Sequence, residues 1–164
     1  MPTPTYDPIS STTLAASASS VTFSGFPTDG TYRDLVLIIN ADGTSQTELY
    51  IRMNGDSSST YTSIRMQGSG SVAASATYSG TGGMRLNGNG DIMTNFSFSA
   101  IIQLFDFSTT NKHKTILSRT NSSQGVDACV GRWPSTSAMT SLTAYPASGS
   151  FDVGSTFNLY GIAS

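Results

Sequence analysis

The sequence has 164 residues, with 8 Lys and Arg against 10 Asp and Glu, a formal charge of −2, one His, one Cys and one Trp. Charged residues make up only 11%, against about 25% in ordinary soluble domains, and about 50 Ser and Thr supply the polarity instead. This balance excludes an electrostatic nucleic-acid binder, a disulfide framework or multi-cysteine zinc site, and, with no apolar run near 18–20 residues, a membrane-spanning helix.

The opening MPTPTYDPIS lacks the basic start and apolar stretch of a signal peptide. With prolines at 2, 4 and 8 it reads as a stiff extended arm over residues 1–10. No sustained i, i+3, i+4, i+7 apolar stripe follows, and glycine interrupts at short intervals. The chain instead divides into short apolar or alternating runs separated by Gly, Asn, Asp, Ser and Pro. The first strands are predicted at 13–16 and 20–24, with Pro27 and Asp29-Gly30 as a turn. Residues 32–41 contain five consecutive apolar residues, Leu35 to Ile39, which suggests a central strand covered on both faces. Residues 48–54 alternate, with Leu49, Ile51 and Met53 facing one way and Tyr50 and Arg52 the other. Residues 61–67 alternate again, and hydrophobicity places Ile64 and Met66 inward and Arg65 outward.

Residues 68–90 are rich in glycine. They read as an excursion between two halves of a sheet pair, with weak strands at 72–78 and 84–87, or equally as a long loop. Further strands are predicted at 95–107, 112–121, 126–133 (stopped by Pro134), 140–145 and 156–162. Nine or ten strands with turn residues in every gap favour an all-β fold. The expectation is an antiparallel, jelly-roll-like β-sandwich forming a single domain over 11–164.

Few residues invite chemistry. His113, between Lys112 and Lys114, reads as a solvated loop histidine, with no G-x-S-x-G elbow to pair with it. Cys129 lies mid-strand, where a free thiol is usually core. Asn54-Gly-Asp56 and Asn87-Gly-Asn-Gly-Asp91 carry oxygen ligands but read first as turns, and neither fits a calcium loop. Gly80-Thr-Gly-Gly83 has no Gly-Lys-Ser/Thr after it and is not a phosphate cradle. Asn95-Phe-Ser97 and Asn121-Ser-Ser123 match a glycosylation pattern that has no meaning without secretion. No catalytic, metal or cofactor residue is therefore assigned. Arg119, Arg132 and Trp133 are interface candidates, because Arg and Trp concentrate at interface centres; Trp133 could equally be a core aromatic. Pro4, Tyr6 and Pro8 of the arm join them as candidates for reaching a neighbour. A hydroxyl-rich surface loses little side-chain freedom on docking, which suits a protein packed into an assembly.

The chain also resembles small structural proteins of tailed bacteriophages, especially phages of cyanobacteria and related marine hosts. The resemblance rests on Tyr6-Asp-Pro-Ile9 with Thr13-Leu14, on Val21-Thr-Phe23 before Tyr32-Arg-Asp-Leu-Val36, and on Ile51-Arg-Met-Asn-Gly-Asp56 running to Tyr61. It continues through Lys114-Thr-Ile-Leu-Ser-Arg119, Gly131-Arg-Trp133 and Gly154-Ser-Thr-Phe157 to Leu159-Tyr-Gly-Ile162. It implies a non-enzymatic virion component with an antiparallel β-sandwich. The expectation is a capsid decoration or cement protein on the outer shell, bound to the major capsid protein and to itself as a homotrimer. The alternative is a tail-fibre or tail-tip domain recognising host surface glycan, with Tyr50, Tyr78 or Trp133 stacking on sugars. Neither nucleic acid nor membrane is an expected partner.

Overall fold

In the computed structural model, which describes residues 5–88, 97–122 and 125–163, the regular elements are all strands. They are β1 (Tyr6–Thr13), β2 (Val21–Ser24), β3 (Tyr32–Ala41), β4 (Leu49–Met53), β5 (Tyr61–Gly68), β6 (Ala73–Thr81), β7 (Met84–Arg85), β8 (Phe98–Phe105), β9 (Lys114–Ser122), β10 (Gly125–Trp133), β11 (Ser141–Pro146) and β12 (Thr156–Ala163). An eight-stranded sheet runs β1-β12-β3-β8-β9-β10-β5-β6, and a four-stranded sheet runs β2-β11-β4-β7. All pairings are antiparallel. The expected β-sandwich is present, and the chain passes repeatedly between the two sheets in jelly-roll-like fashion.

The strand count exceeds the expected nine or ten because the glycine-rich stretch is ordered into β6 and β7; residues 89–90 of that stretch lie outside the described residues. At the N-terminus, the segment read as an arm joins the sheet from Tyr6 onward. There β1 pairs with β12, and residues 13–16 do not form a strand of their own. Pro2 and Pro4 lie outside the described residues.

The core lies between the inner faces. Leu35, Leu37 and Ile39 of β3, Ile102 of β8, Ile116 of β9 and Phe157 of β12 meet Leu49, Ile51 and Met53 of β4 and Leu142 of β11, all fully buried. β4 alternates as predicted. β3 is central, with Val36 buried even on the outer face.

β5 corrects the sequence reading. Ile64 and Met66 point outward, 52% and 63% exposed, while Arg65 points inward at 9%. The cause is the company on the inner face. Tyr61 and Trp133, each at a strand end, stack at 6.4 Å with rings 12° apart. The Trp133 indole donates to Asp56 Oδ2 at 2.6 Å. The Tyr61 hydroxyl accepts from Met53 N–H at 3.1 Å and donates to the Asp56 carbonyl at 3.0 Å. Burying both rings sets which face of β5 and β10 is inner, and strict alternation turns every other residue accordingly. Arg65 then enters the interior, where it meets Asp127 of β10 at 3.2 Å.

Gly131 occupies an inner position of β10 because nothing larger fits: a Cβ there would overlap the sulfur of the fully buried Met84 of β7. Gly131→Ala should therefore destabilise the sandwich by about 1–3 kcal/mol, the usual cost of overpacking. Thermal unfolding followed by Trp133 fluorescence measures this; an unchanged midpoint would show that β7 yields freely.

Candidate functional site

The outer face of the eight-stranded sheet carries most of the exposed large hydrophobic side chains among the described residues. Its geometry follows from the register. One row across the sheet reads Ile38, Ile101, Arg119, Ala128 and Met66, from β3 through β8, β9 and β10 to β5. The adjacent row reads Val36, Gln103, Leu117, Val130 and Ile64. Ile101, Leu117, Val126 and Val130 are between 42% and 58% exposed, which is unusual for so many neighbouring aliphatic side chains. The face is troughed. One shallow depression of about 430 Å³ is walled by Met66, Ile101, Val126 and the Arg119 stem, and a second of about 580 Å³ continues along Leu117, Val130 and Ile64.

Arg119 stands in the middle of this surface and makes no ion pair or hydrogen bond among the described residues. Arg132 lies on the same face, opposite Thr115 of β9 and Thr62 of β5. No acidic side chain projects from the outer face of β8, β9, β10, β5 or β6. The trough is thus aliphatic with an unopposed positive charge.

The interface candidates named from sequence separate into three groups. Arg119 lies in the trough, and Arg132 lies on the same face beyond its Val130 end. Tyr6 and Pro8 project from the same face, with Tyr6 packed edge-on against Tyr160 at 6.4 Å, but β1 lies four strand spacings from β9, about 20 Å away. Trp133 is only 3% exposed and belongs to the core, so it is not offered to a partner or to a sugar. Pro4 lies outside the described residues. The apolar residues of the trough were missed because β5 was read with the wrong face inward. The available signal was adjacent apolar pairs, Ile101-Ile102 and Ile116-Leu117, which mean that both faces of a strand are apolar.

The outer face of the four-stranded sheet is different. Tyr50 and Tyr145 stack at 5.6 Å, and Arg52 lies over the Tyr145 ring at 4.7 Å. Arg85 covers Tyr78 of β6 at 4.3 Å and pairs with Glu48 at 3.2 Å. Every cation here is already engaged, and the rings of Tyr50 and Tyr78 each have one face occupied.

The reactive candidates take bland positions. His113 is exposed in the turn before β9. The Asp56 carboxylate receives the Ser58 hydroxyl and amide and the Trp133 indole. These donors, Ser58 foremost, hold it below the ordinary carboxylate range and occupy the oxygens a cation would need. The Asn87–Asp91 motif and both glycosylation patterns extend beyond the described residues. Cys129 is buried beneath β7, its thiol donating to the Arg85 carbonyl at 3.4 Å, and burial pushes its pKa up to about 11. A thiolate forms freely only on unfolding, so an aromatic disulfide reagent at pH 8 should leave the folded protein unlabelled and label it fully in denaturant. Rapid labelling of the native protein would contradict this burial.

Neither the family models nor the curated proteins contain a match to this chain. Among solved structures, it is similar to an exo-inulinase of Aspergillus awamori (12% identity, TM-score 0.39), covering 96% of this chain but 29% of the inulinase. It is also similar to a galectin of Caenorhabditis elegans (9% identity, TM-score 0.37, covering 94% of this chain and 96% of the galectin) and to an alginate lyase (10%, 0.40, 93% and 77%). Likenesses this remote assign neither substrate nor activity.

Proposed function

We propose that this protein is a non-enzymatic structural component of a tailed bacteriophage virion, a decoration protein that binds the outer capsid shell through the outer face of its eight-stranded sheet. The observation that carries the reading is the aliphatic trough with Arg119 unopposed at its centre. A surface of this kind gains by leaving water, at roughly 25 cal/mol per Å² of apolar area. A guanidinium set among aliphatic side chains favours a partner that presents a carboxylate there, since a charge buried without a partner is costly. The low charge of the chain and its short hydroxyl side chains reduce both repulsion and ordering cost at a contact. The resemblance of the sequence to small phage structural proteins supports a partner within the virion, and the shell is the partner proposed.

A glycan-binding tail domain is the second reading. The Tyr50–Tyr145 stack on the opposite sheet favours it, because half-exposed rings suit sugar faces. The trough does not, being mainly apolar and without an aromatic side chain in its lining.

Two measurements test the proposal. Electron microscopy of virions carrying a tagged copy should place label on the shell; label confined to the tail would transfer the protein to the second reading. Co-sedimentation with shells stripped of the protein should show binding by the native chain and at least a tenfold loss for Arg119→Glu, about 1.4 kcal/mol or more. The substitution removes no hydrogen bond or ion pair among the described residues and should leave unfolding within about 0.5 kcal/mol of the native value. Undiminished binding by this variant would remove the trough from the docking surface.

A further inference from the structure

The two edges of the eight-stranded sheet are β1 and β6, and they are built in opposite ways. β1 carries Asp7, Pro8 and a register break between Pro8 and Ser10. Charge, proline and bulge each spoil pairing with another strand. β6 has neither charge nor proline, and its one register break, at Gly80, lies at its end: Ala73-Ala-Ser-Ala-Thr-Tyr-Ser-Gly-Thr81 is regular against β5 from Ala73 to Ser79. All but one of its side chains are small, and most of the strand is exposed. Among the described residues its free edge makes no backbone hydrogen bond outside the β5 ladder. A row of unpaired amides and carbonyls this long invites another strand.

We propose that the β6 edge pairs antiparallel with β6 of a second copy of this chain, joining two eight-stranded sheets into one. Several observations make the second copy the fitting occupant. An antiparallel strand paired with itself forms an isologous contact that closes after two subunits. With no charge in β6, self-pairing brings no like charges together. With side chains of no more than three heavy atoms at all positions except Tyr78, neither face of the junction is crowded, and Tyr78 is held inward over Arg85. A two-fold axis perpendicular to the sheet is the only one that gives antiparallel pairing of equivalent strands, and it puts both outer faces on the same side. The pair would therefore present two copies of the Arg119 trough side by side. That makes the unit bivalent, and bivalency raises avidity without any new contact to the partner. A pair of chains takes the place of the homotrimer expected for a decoration protein.

The inference goes beyond the docking proposal and does not depend on it, because it is measured on the chain alone. Sedimentation velocity of the full chain at micromolar concentration should give the mass of two 17.2 kDa chains. Pairing centred on Thr77 would set the new charges of a Ser75→Lys, Thr77→Lys variant against each other, and this variant should sediment as one chain with an unchanged far-UV circular dichroism spectrum. Amide hydrogen exchange on the unaltered protein gives a second reading that needs no substitution: β6 amides should exchange as slowly as those of β5. A native mass of one or three chains, a variant that keeps the mass of two, or fast exchange of the β6 amides that point away from β5 would each overturn the proposal.

Discussion

The contact between Trp133, Tyr61 and Asp56 decides which way the sheet faces. It anchors the ends of β10 and β5 against the turn that follows β4. A strand has only two choices of face, so two buried aromatic rings settle the orientation of every other side chain on both strands. Ser63, Arg65, Asp127 and Cys129 go inward with them, and Ile64, Met66, Val126 and Val130 are left outside. The aliphatic trough follows from this anchor. Were the parity reversed, the aliphatic side chains would be buried, but Trp133, Tyr61 and the Asp56 bond would be lost with it.

Unequal width explains the polar interior that results. Eight strands span about twice the distance of four, so the smaller sheet cannot cover the larger one to its edges. β7 ends over β5, β10 and β6, and Leu86 to Gly88 continue the cover as far as Asp127. There the inner face turns from aliphatic to polar. The Asp127 carboxylate takes Arg65 on one oxygen and the Gly88 amide on the other. The inner hydroxyls of Ser118 and Thr120 are buried in the same region without partners among the described residues. Removing either member of the Arg65–Asp127 pair would strand the other charge in a buried setting, the costly case for such pairs. That pair, in turn, makes an inward Arg65 tolerable.

Much of the fold was legible in the sequence, because turn chemistry and alternation are local. Residues 32–41 are β3 as read, Pro134 stops β10, and Asn54-Gly55 turns with both residues at positive φ, 51° and 65°. The site was less legible. Hydrophobicity alone cannot say which face of Tyr61–Gly68 is inner when Ile64 and Met66 oppose Tyr61 and Arg65, since a buried ion pair and a stacked tyrosine outweigh two aliphatic side chains through contacts distant in sequence. The glycine stretch hid β6 for a related reason. Ala, Ser and Thr give no hydrophobic period, and the strand exists because β5 supplies a ladder for it. Arg119 was named an interface candidate from its residue type alone; its exposed setting among aliphatic side chains became visible only when β8, β10 and β5 were placed around it.

The distribution of charge ties the surface together. Of the basic side chains in the sheets, Arg33, Arg65 and Arg85 each have a carboxylate, Arg52 has Tyr145 and the Gly82 carbonyl, and the Lys114 ammonium binds the carbonyls of Thr109 and Lys112. Arg119 and Arg132, on neighbouring strands of one face, have no such partner. In a chain with so few charges, leaving those two unopposed beside a cluster of exposed aliphatic residues concentrates on one surface both the gain from excluding water and the demand for a negative group. A surface satisfied by solvent alone would have no reason to separate its charges this way. Hydroxyl side chains over the rest of the strands keep the protein hydrated without competing for that contact, because they hydrogen-bond water without carrying charge.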